Sequence, residues 1–95
     1  MQKENHYIVY ILECADGSYY TGITTDIKRR LLQHREGTGA KYTRGRAPLH
    51  LRFIEGKMNH SKALQREREI KGMTRQQKIQ LIAERGNLYE EAKKF

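Results

Sequence analysis

Cysteine, the residue that could cross-link a small protein through a disulfide, is scarce in this sequence. Cys14 is its only cysteine, so an internal disulfide is excluded, and we expect Cys14 to be a small buried hydrophobic residue. The four histidines lack the short spacings of zinc ligands: His6, His34, His50 and His60. A length of 95 residues predicts one domain held by a modest core, with a loose end over residues 1–5, the domain over 6–83 and a C-terminal extension over 84–95.

Long apolar stretches are also missing. The longest apolar run is Ile8–Leu12, which is far shorter than the roughly 20 residues that span a bilayer. No signal peptide is visible at the start of the sequence. We therefore expect a cytoplasmic protein that has no membrane partner.

Acidic residues are fewer than basic residues in this sequence. Lys and Arg number 19 against 11 Asp and Glu, which gives a formal net charge of +8 and a pI near 9.8. A protein with this excess of positive charge attracts polyanions, so nucleic acid is the leading candidate partner. Composition does not identify a preferred target, and a protein partner could supply one.

What the sequence does contain is an α/β pattern that opens with a β-hairpin. Two runs rich in Tyr, Ile, Val and Thr predict strands over His6–Glu13 and Ser18–Ile23. The tripeptide Ala15-Asp16-Gly17 between them is typical of a turn. The two strands should therefore pair with each other.

The length of the hairpin loop decides which side chains share a face of the sheet. A two-residue Asp16-Gly17 turn would place Tyr10 and Tyr20 on opposite faces, whereas a three-residue loop with Gly17 in the left-handed region places them on the same face. We predict the three-residue loop. Tyr10 then lies opposite Gly22, which should leave an open spot beside the Tyr10 hydroxyl where the backbone of a ligand can enter.

A helix is predicted next, with Thr25 or Asp26 as its N-cap, running to about Glu36 and ended by Gly37. At about 100° per residue, one arc of this helix contains Ile27, Arg30, Leu31 and His34. The arginine and the histidine therefore lie one turn apart at the edge of the packed face and point toward the hairpin. They are either a functional pair or a snorkelling arginine beside a histidine that bonds to backbone.

Residues 37–48 form a basic loop that contains three glycines and one aromatic residue. A solvated connector is one interpretation. Positive charge clustered around an aromatic ring also suits the binding of phosphates, with the ring stacked on a base or a sugar. The candidate nucleic-acid-binding residues in this loop are Lys41, Tyr42, Thr43, Arg44 and Arg46.

Three further elements complete the predicted domain. A third strand should cover His50–Gly56, with Pro48 at its entry. A second helix should begin at Asn59 or Ser61 and end at Lys71, before Gly72. A capping box of Thr74 with Gln77 should start a third helix that reaches roughly Arg85.

Glu67 is the sharpest anomaly in the sequence. It falls in the middle of an apolar arc of the second helix, where an unpaired carboxylate is costly. Two interpretations remain open: an ion pair with Lys71 four residues later, or the binding of a divalent cation. Together with Tyr10, Tyr20, Arg30 and His34, this carboxylate makes a set of groups suited to phosphodiester chemistry.

The chain resembles the GIY-YIG nuclease superfamily, in particular its small stand-alone bacterial members. Gly37 through Arg44 match the family loop Gly-x-Gly-Ala-Lys-Tyr-Thr-Arg, and the similarity covers roughly residues 6–83. The resemblance implies a three-stranded antiparallel sheet flanked by helices. Position by position, it implies a metal-binding role for Glu67 and catalytic roles for Tyr10, Tyr20, Gly22, Arg30 and His34.

The chain departs from the family pattern at several positions. The first triplet, Ile8-Val9-Tyr10, lacks the glycine of the family, and Thr21 replaces the isoleucine of the second triplet. Ile23 stands where the excision-repair nuclease domain has a lysine. Asn87 is a candidate for the late asparagine of several branches, and Lys71 is a candidate only as the neighbour of Glu67.

The activity that this resemblance implies is metal-dependent hydrolysis of a DNA phosphodiester. Tyr10 would act as the general base, with neutral His34 accepting its proton and Tyr20 positioning the nucleophile or the phosphate. Arg30 would hold the scissile phosphate, and Glu67 would bind one Mg²⁺ or Mn²⁺ ion.

The phenol of Tyr10 needs help to act as a base. Its ordinary pKa is ~10, so reaching ~7 requires about 4 kcal/mol of stabilisation, which we expect from His34, Arg30 and the metal. The alternative is a non-catalytic nucleic-acid-binding module on the same scaffold, acting with a partner or on RNA. A basic structural protein is a third and weaker alternative.

Overall fold

The computed structural model describes residues 6–84, which form one antiparallel sheet, three α-helices and a short 3-10 helix. In chain order the elements are β1 Tyr7–Glu13, β2 Tyr19–Thr24, α1 Ile27–Arg35, the 3-10 helix Lys41–Thr43, β3 His50–Met58, α2 His60–Lys71 and α3 Arg75–Glu84. The predicted N-terminal end, the extension beyond Glu84 and the candidate Asn87 lie outside the described residues. Within residues 6–84, no helix is long and apolar enough to cross a membrane.

The β-hairpin has the predicted three-residue loop. The backbone N–H of Cys14 donates to the carbonyl of Ser18 at 2.8 Å, and the N–H of Gly17 donates back to the carbonyl of Cys14 at 2.9 Å. Gly17 has φ +85°, the left-handed conformation that this loop requires. Tyr10 consequently pairs with Gly22, and Leu12 pairs with Tyr20, so the predicted register is confirmed.

The helix starts are also as predicted. Of the two N-cap candidates for α1, Asp26 takes the position, and its side chain accepts a hydrogen bond from the backbone of the first turn. Asn59 caps α2 in the same way. Thr74 and Gln77 bond reciprocally at the start of α3, which confirms the capping box.

The strand order β2-β1-β3 places β1 in the middle of the sheet, where both of its faces are covered. Val9 and Ile11 face α2 and α3 in a cluster with Phe53, Ala63, Ile70 and Leu81. Ile8, Tyr10 and Leu12 face α1 in a cluster with Ile27. The strand alternation thus directs Tyr10 into the layer between the sheet and α1, where Tyr20 packs beside it.

Cys14 and the end of the third strand were also predicted from the sequence. Cys14 is buried and free, as expected. Strand β3 ends at Met58 rather than Gly56, because its pairing with β1 continues to the register pair Tyr7–Met58.

Candidate active site

The site is built around the hydroxyl of Tyr10. This side chain has no exposed surface, and its oxygen lies 2.8 Å from Nε2 of His34. The Nε–H of Arg30 donates to the same oxygen at 3.4 Å. Because Arg30 and His34 are one turn apart on α1, both reach the tyrosine from above the sheet. The structure therefore brings these three predicted residues together.

Tyr20 and Gly22 on β2 border the same hydroxyl. The ring centroid of Tyr20 lies 6.3 Å from that of Tyr10 and 5.3 Å from that of His34. A Cβ on Gly22 would come within 2.7 Å of the Tyr10 oxygen, so this position has no room for a side chain. The prediction of an open spot for a ligand backbone is wrong, because the phenol end of Tyr10 itself occupies that space.

The electrostatics of Tyr10 also differ from the prediction. Burial is the largest influence and raises the pKa of Tyr10 to about 12, with further increases from the nearby charges of Tyr20 and Glu67. The hydrogen bond from Arg30 lowers the pKa but does not outweigh the burial. Tyr10 is therefore a neutral phenol at pH 7 and not a preformed phenolate.

His34 is buried and carries no charge at neutral pH. Burial first, and then the positive charge of Arg30, lower the pKa of His34 to about 4. The pKa of Arg30 is raised, most strongly by its hydrogen bond to Tyr10, so the guanidinium keeps its charge. A neutral imidazole and a neutral phenol thus share a hydrogen bond beside a fixed positive charge.

Thr43 belongs to the basic loop, but its side chain faces the protein interior and not the outer surface. Its side chain is buried, and its Oγ1 is 2.9 Å from Nδ1 of His34. The prediction that Thr43 contacts nucleic acid needs correction, since the 3-10 helix turns this hydroxyl inward. The hydroxyl of Thr43 is the part of the site that sequence reasoning missed, because a small polar residue among basic ones gives no periodic signal.

The other loop residues divide into two groups. Lys41, Tyr42 and Arg44 are exposed, as a phosphate-binding surface requires. Arg46 instead forms an ion pair with Asp16 in the hairpin loop, and its guanidinium lies 4.3 Å from the ring centroid of Tyr42. Of the predicted phosphate contacts, Arg46 is thus the one already used within the protein.

The ring of Tyr42 connects this loop to the site. It stacks on Tyr20 with a centroid separation of 6.0 Å and an interplanar angle of 28°. The backbone of Arg46 also accepts a hydrogen bond from Ala15 in the hairpin loop at 2.8 Å. The exposed basic surface and the tyrosine pair are therefore parts of one packed unit.

Glu67 lies at the edge of the packed face of α2, where the sequence predicted the middle of it. Its side chain is 19% exposed and forms an ion pair of 3.1 Å with Lys71, which is 55% exposed. The ion pair that the sequence allowed is present, but it is at the surface. The carboxylate is nevertheless close enough to the site for its charge to raise the pKa of Tyr10.

Glu67 offers one carboxylate to a divalent cation such as Mg²⁺ or Mn²⁺. Residues 6–84 contain no group of three or more His, Cys, Asp or Glu side chains that could hold a metal. Magnesium keeps most of its water ligands and is commonly bound through one or two carboxylates together with substrate phosphates. A single carboxylate ligand such as Glu67 is compatible with this weak mode of metal binding but not with tight binding.

Comparison with known proteins agrees with this architecture. The family model of the GIY-YIG catalytic domain matches residues 6–80. A UPF0213 protein of Halalkalibacterium halodurans is 49% identical over 91 residues, which cover 96% of each chain. A UPF0213 protein of Halobacterium salinarum is 54% identical over 74 residues, which cover 78% of this chain and 96% of the relative.

Two solved structures resemble the chain over most of its length. The solution NMR structure of the UPF0213 protein from Bacillus halodurans has a TM-score of 0.58 at 46% identity, covering 94% of this chain and 95% of that one. The solution NMR structure of a protein from E. faecalis has a TM-score of 0.59 at 44% identity, covering 86% of both chains. The predicted fold class, a three-stranded antiparallel sheet with helices, is confirmed.

Proposed function

Because the chain belongs to the GIY-YIG family, a family of the nuclease superfamily, we propose that it is a divalent-metal-dependent endonuclease that hydrolyses phosphodiester bonds of DNA. The observation that carries this proposal is the buried hydrogen bond of 2.8 Å between the Tyr10 hydroxyl and Nε2 of His34. It joins a group that can receive a proton from water to a neutral base that can take one. A protein that bound nucleic acid through its positive charge alone would not need this hydrogen-bonded pair.

The raised pKa of Tyr10 determines how the proton moves. A free phenolate is disfavoured, so the tyrosine oxygen takes a proton from the attacking water as it gives its own proton to Nε2 of His34. The phenol is neutral before and after this step, and the positive charge that forms is on His34. Burial and, second to it, the charge of Arg30 lower the pKa of His34, and the negative charge of a bound phosphate offsets the second of these effects.

Arg30 and Tyr20 serve the phosphate in this proposal. Arg30 keeps its charge, is half-buried and lies next to the Tyr10 oxygen, where it stabilises negative charge on the phosphate as water attacks. Tyr20 is partly exposed and lies against the rings of Tyr10 and His34, where it positions the nucleophile or the phosphate. Glu67 would hold the metal ion, which acts as a Lewis acid toward the leaving oxygen when bound.

One observation favours a second candidate function. Tyr10 has no exposed surface, so water reaches its hydroxyl only if neighbouring side chains move. A nucleic-acid-binding module that does no chemistry would have the same buried hydrogen bonds and the same exposed basic residues. Under that alternative, the Tyr10–His34 pair only holds α1 on the sheet.

Cleavage assays decide between these functions. The purified protein is incubated with single-stranded, duplex and branched DNA and with RNA, in Mg²⁺, Mn²⁺ or EDTA. The endonuclease proposal predicts metal-dependent cleavage of DNA that is absent in EDTA. It also predicts that Tyr10→Phe lowers the rate of cleavage by roughly 10²–10⁴-fold and that Tyr19→Phe, which alters the neighbouring tyrosine on the α2 and α3 side of the hairpin, leaves it unchanged.

Binding is measured separately on one fluorescent duplex over a series of salt concentrations. Replacing Lys41 and Arg44 with alanine should flatten the slope of log affinity against log salt by roughly two units, since each phosphate contact contributes about −0.9. The double variant Lys57→Ala and Lys62→Ala removes equal charge from exposed positions outside the loop and is the control. Normal binding without cleavage of any substrate would favour the binding module.

A further inference from the structure

A chain of four hydrogen bonds runs through the site and ends at the backbone of the basic loop. Arg30 Nε lies 3.4 Å from the Tyr10 hydroxyl, which lies 2.8 Å from His34 Nε2. On the other side of the imidazole, His34 Nδ1 lies 2.9 Å from Thr43 Oγ1, which lies 2.9 Å from the carbonyl oxygen of Ala40. Every member of this chain is therefore connected to the next.

The two ends of the chain fix its direction. The guanidinium of Arg30 can only donate, and the carbonyl of Ala40 can only accept. Thr43 gives its one hydroxyl proton to that carbonyl, so toward His34 it can only accept. The opposite direction would leave the buried hydroxyl proton of Tyr10 without an acceptor in the described part of the chain.

From this geometry we propose that Thr43 is a positioning residue that keeps the proton of neutral His34 on Nδ1, so that Nε2 is free to accept the proton of Tyr10. The tautomer of a histidine is set by the hydrogen bond that its other nitrogen makes. The low pKa of His34, about 4, supports a single ring proton at neutral pH. The catalytic consequence rests on the proposed function, whereas the tautomer itself does not.

The loop is shaped to lie against the imidazole. A Cβ on Gly39 would come within 2.6 Å of Nδ1 of His34 and within 3.0 Å of its Cα, so only glycine permits this approach. The backbone N–H of Thr43 also donates to the carbonyl of Ala40 at 3.1 Å, which fixes the turn that presents the hydroxyl. Lys41, in the same short 3-10 helix, is exposed. One turn thus holds the imidazole on its inner side and offers positive charge on its outer side.

The tautomer is read directly by ¹⁵N NMR of the imidazole rings, with His34→Gln used to assign the His34 signals. In the wild-type protein at neutral pH, Nδ1 should have the shift of a protonated nitrogen and Nε2 that of an unprotonated one. Thr43→Val keeps the shape of the side chain and removes the acceptor, so it should shift His34 toward the other tautomer. Thr43→Ser, which restores a hydroxyl, should keep the wild-type pattern.

A matched control is available in the same loop. Thr38 is exposed, and its hydroxyl donates to the carbonyl of Gln33 at 3.3 Å. Thr38→Val therefore removes an equivalent hydroxyl without touching His34 and should leave its tautomer unchanged. A wild-type His34 protonated on Nε2, or an unchanged tautomer in folded Thr43→Val, would overturn the inference. If Thr43→Val does not fold, Thr43→Ala removes the same hydroxyl with less bulk and gives the same test.

Cleavage kinetics test the catalytic consequence. Thr43→Val should lower kcat by roughly tenfold to a hundredfold, the range known for losing the partners that orient metal-binding histidines. KM should stay unchanged, because the hydroxyl faces away from solvent, and Thr43→Ser should recover kcat. A rise in KM alone would overturn the positioning role. Failure of the wild-type protein to cleave any substrate would count against the proposed function, while the NMR result would still decide the tautomer.

Discussion

The two faces of strand β1 bury neighbouring side chains in opposite ways. Val9 and Ile11 enter an apolar cluster against α2 and α3, whereas Tyr10 enters a layer where its hydroxyl bonds to both His34 and Arg30. The one buried side-chain N or O atom without a hydrogen-bond partner in residues 6–84 belongs to Thr21, which pairs with Ile11 on the apolar face. The buried polar groups on the side of α1 thus have hydrogen-bond partners, whereas on the apolar face the hydroxyl of Thr21 has none.

Lowering the pH should weaken most the packing between the sheet and α1, where Tyr10 and His34 lie. The pKa of His34 is about 4 in the folded protein against 6.5 for an unperturbed histidine, so between these values the unfolded chain binds more protons. Stability is therefore fully present above pH 6.5 and is lost as the pH falls toward 4, by up to about 3 kcal/mol. Denaturant unfolding across this window measures the loss.

His34→Gln is the control for that measurement. It removes the titrating group, so the part of the pH dependence that belongs to His34 should disappear while the part from the carboxylates remains. Equal pH dependence in the wild type and in His34→Gln would show that His34 takes up no proton on unfolding in this window.

Thr21→Val should strengthen the apolar face. A methyl group in place of the unpaired hydroxyl removes a desolvated polar atom without leaving a cavity, so the free energy of unfolding should rise by about 1 kcal/mol. The same change at Thr43 should lower stability, because it leaves Nδ1 of His34 without a partner. Thermal or denaturant unfolding of the two variants compares the faces directly. A stabilising Thr43→Val would contradict the contrast between them.

The smallest effect is expected at the edge of the apolar face, where Glu67 meets Lys71. Because Lys71 is 55% exposed, Lys71→Met should change the free energy of unfolding by less than about 1 kcal/mol. Glu67→Gln should also leave stability nearly unchanged, yet abolish cleavage if Glu67 holds the metal ion. Unfolding and cleavage measured on both variants separate the two roles. A Glu67→Gln protein that cleaves normally would end the metal-ligand assignment.

Much of the fold could be predicted from local sequence signals. The loop residue Gly17 and the alternation of strand residues sufficed for the register that pairs Tyr10 with Gly22, and cap residues such as Asp26 and Asn59 marked the helix starts. These features depend on short-range chemistry. The two helix positions Arg30 and His34 followed from periodicity for the same reason.

The parts that sequence did not predict depend on the path of the loop over residues 37–48. Nothing in the order of its residues indicates that Thr43 turns inward or that Arg46 pairs with Asp16. The complete burial of Tyr10, and hence its raised pKa, depends on how the sheet and α1 pack together and is likewise not written in the local sequence. Sequence thus indicated which side chains meet at the candidate site but not the environment that sets their protonation.

A double-mutant cycle on cleavage tests whether Tyr10 and His34 act as one proton-transfer unit. Single-turnover rates on duplex DNA in Mn²⁺ are measured for Tyr10→Phe, for His34→Gln and for the protein with both changes, beside wild type and Tyr19→Phe. Each single change should lower the rate by roughly 10²–10⁴-fold. Both changes together should lower it no further than the worse single change, because groups that act as a unit are lost together. Losses that multiply, or a Tyr10→Phe protein that cleaves at the wild-type rate, would show that Tyr10 and His34 do not act as one unit.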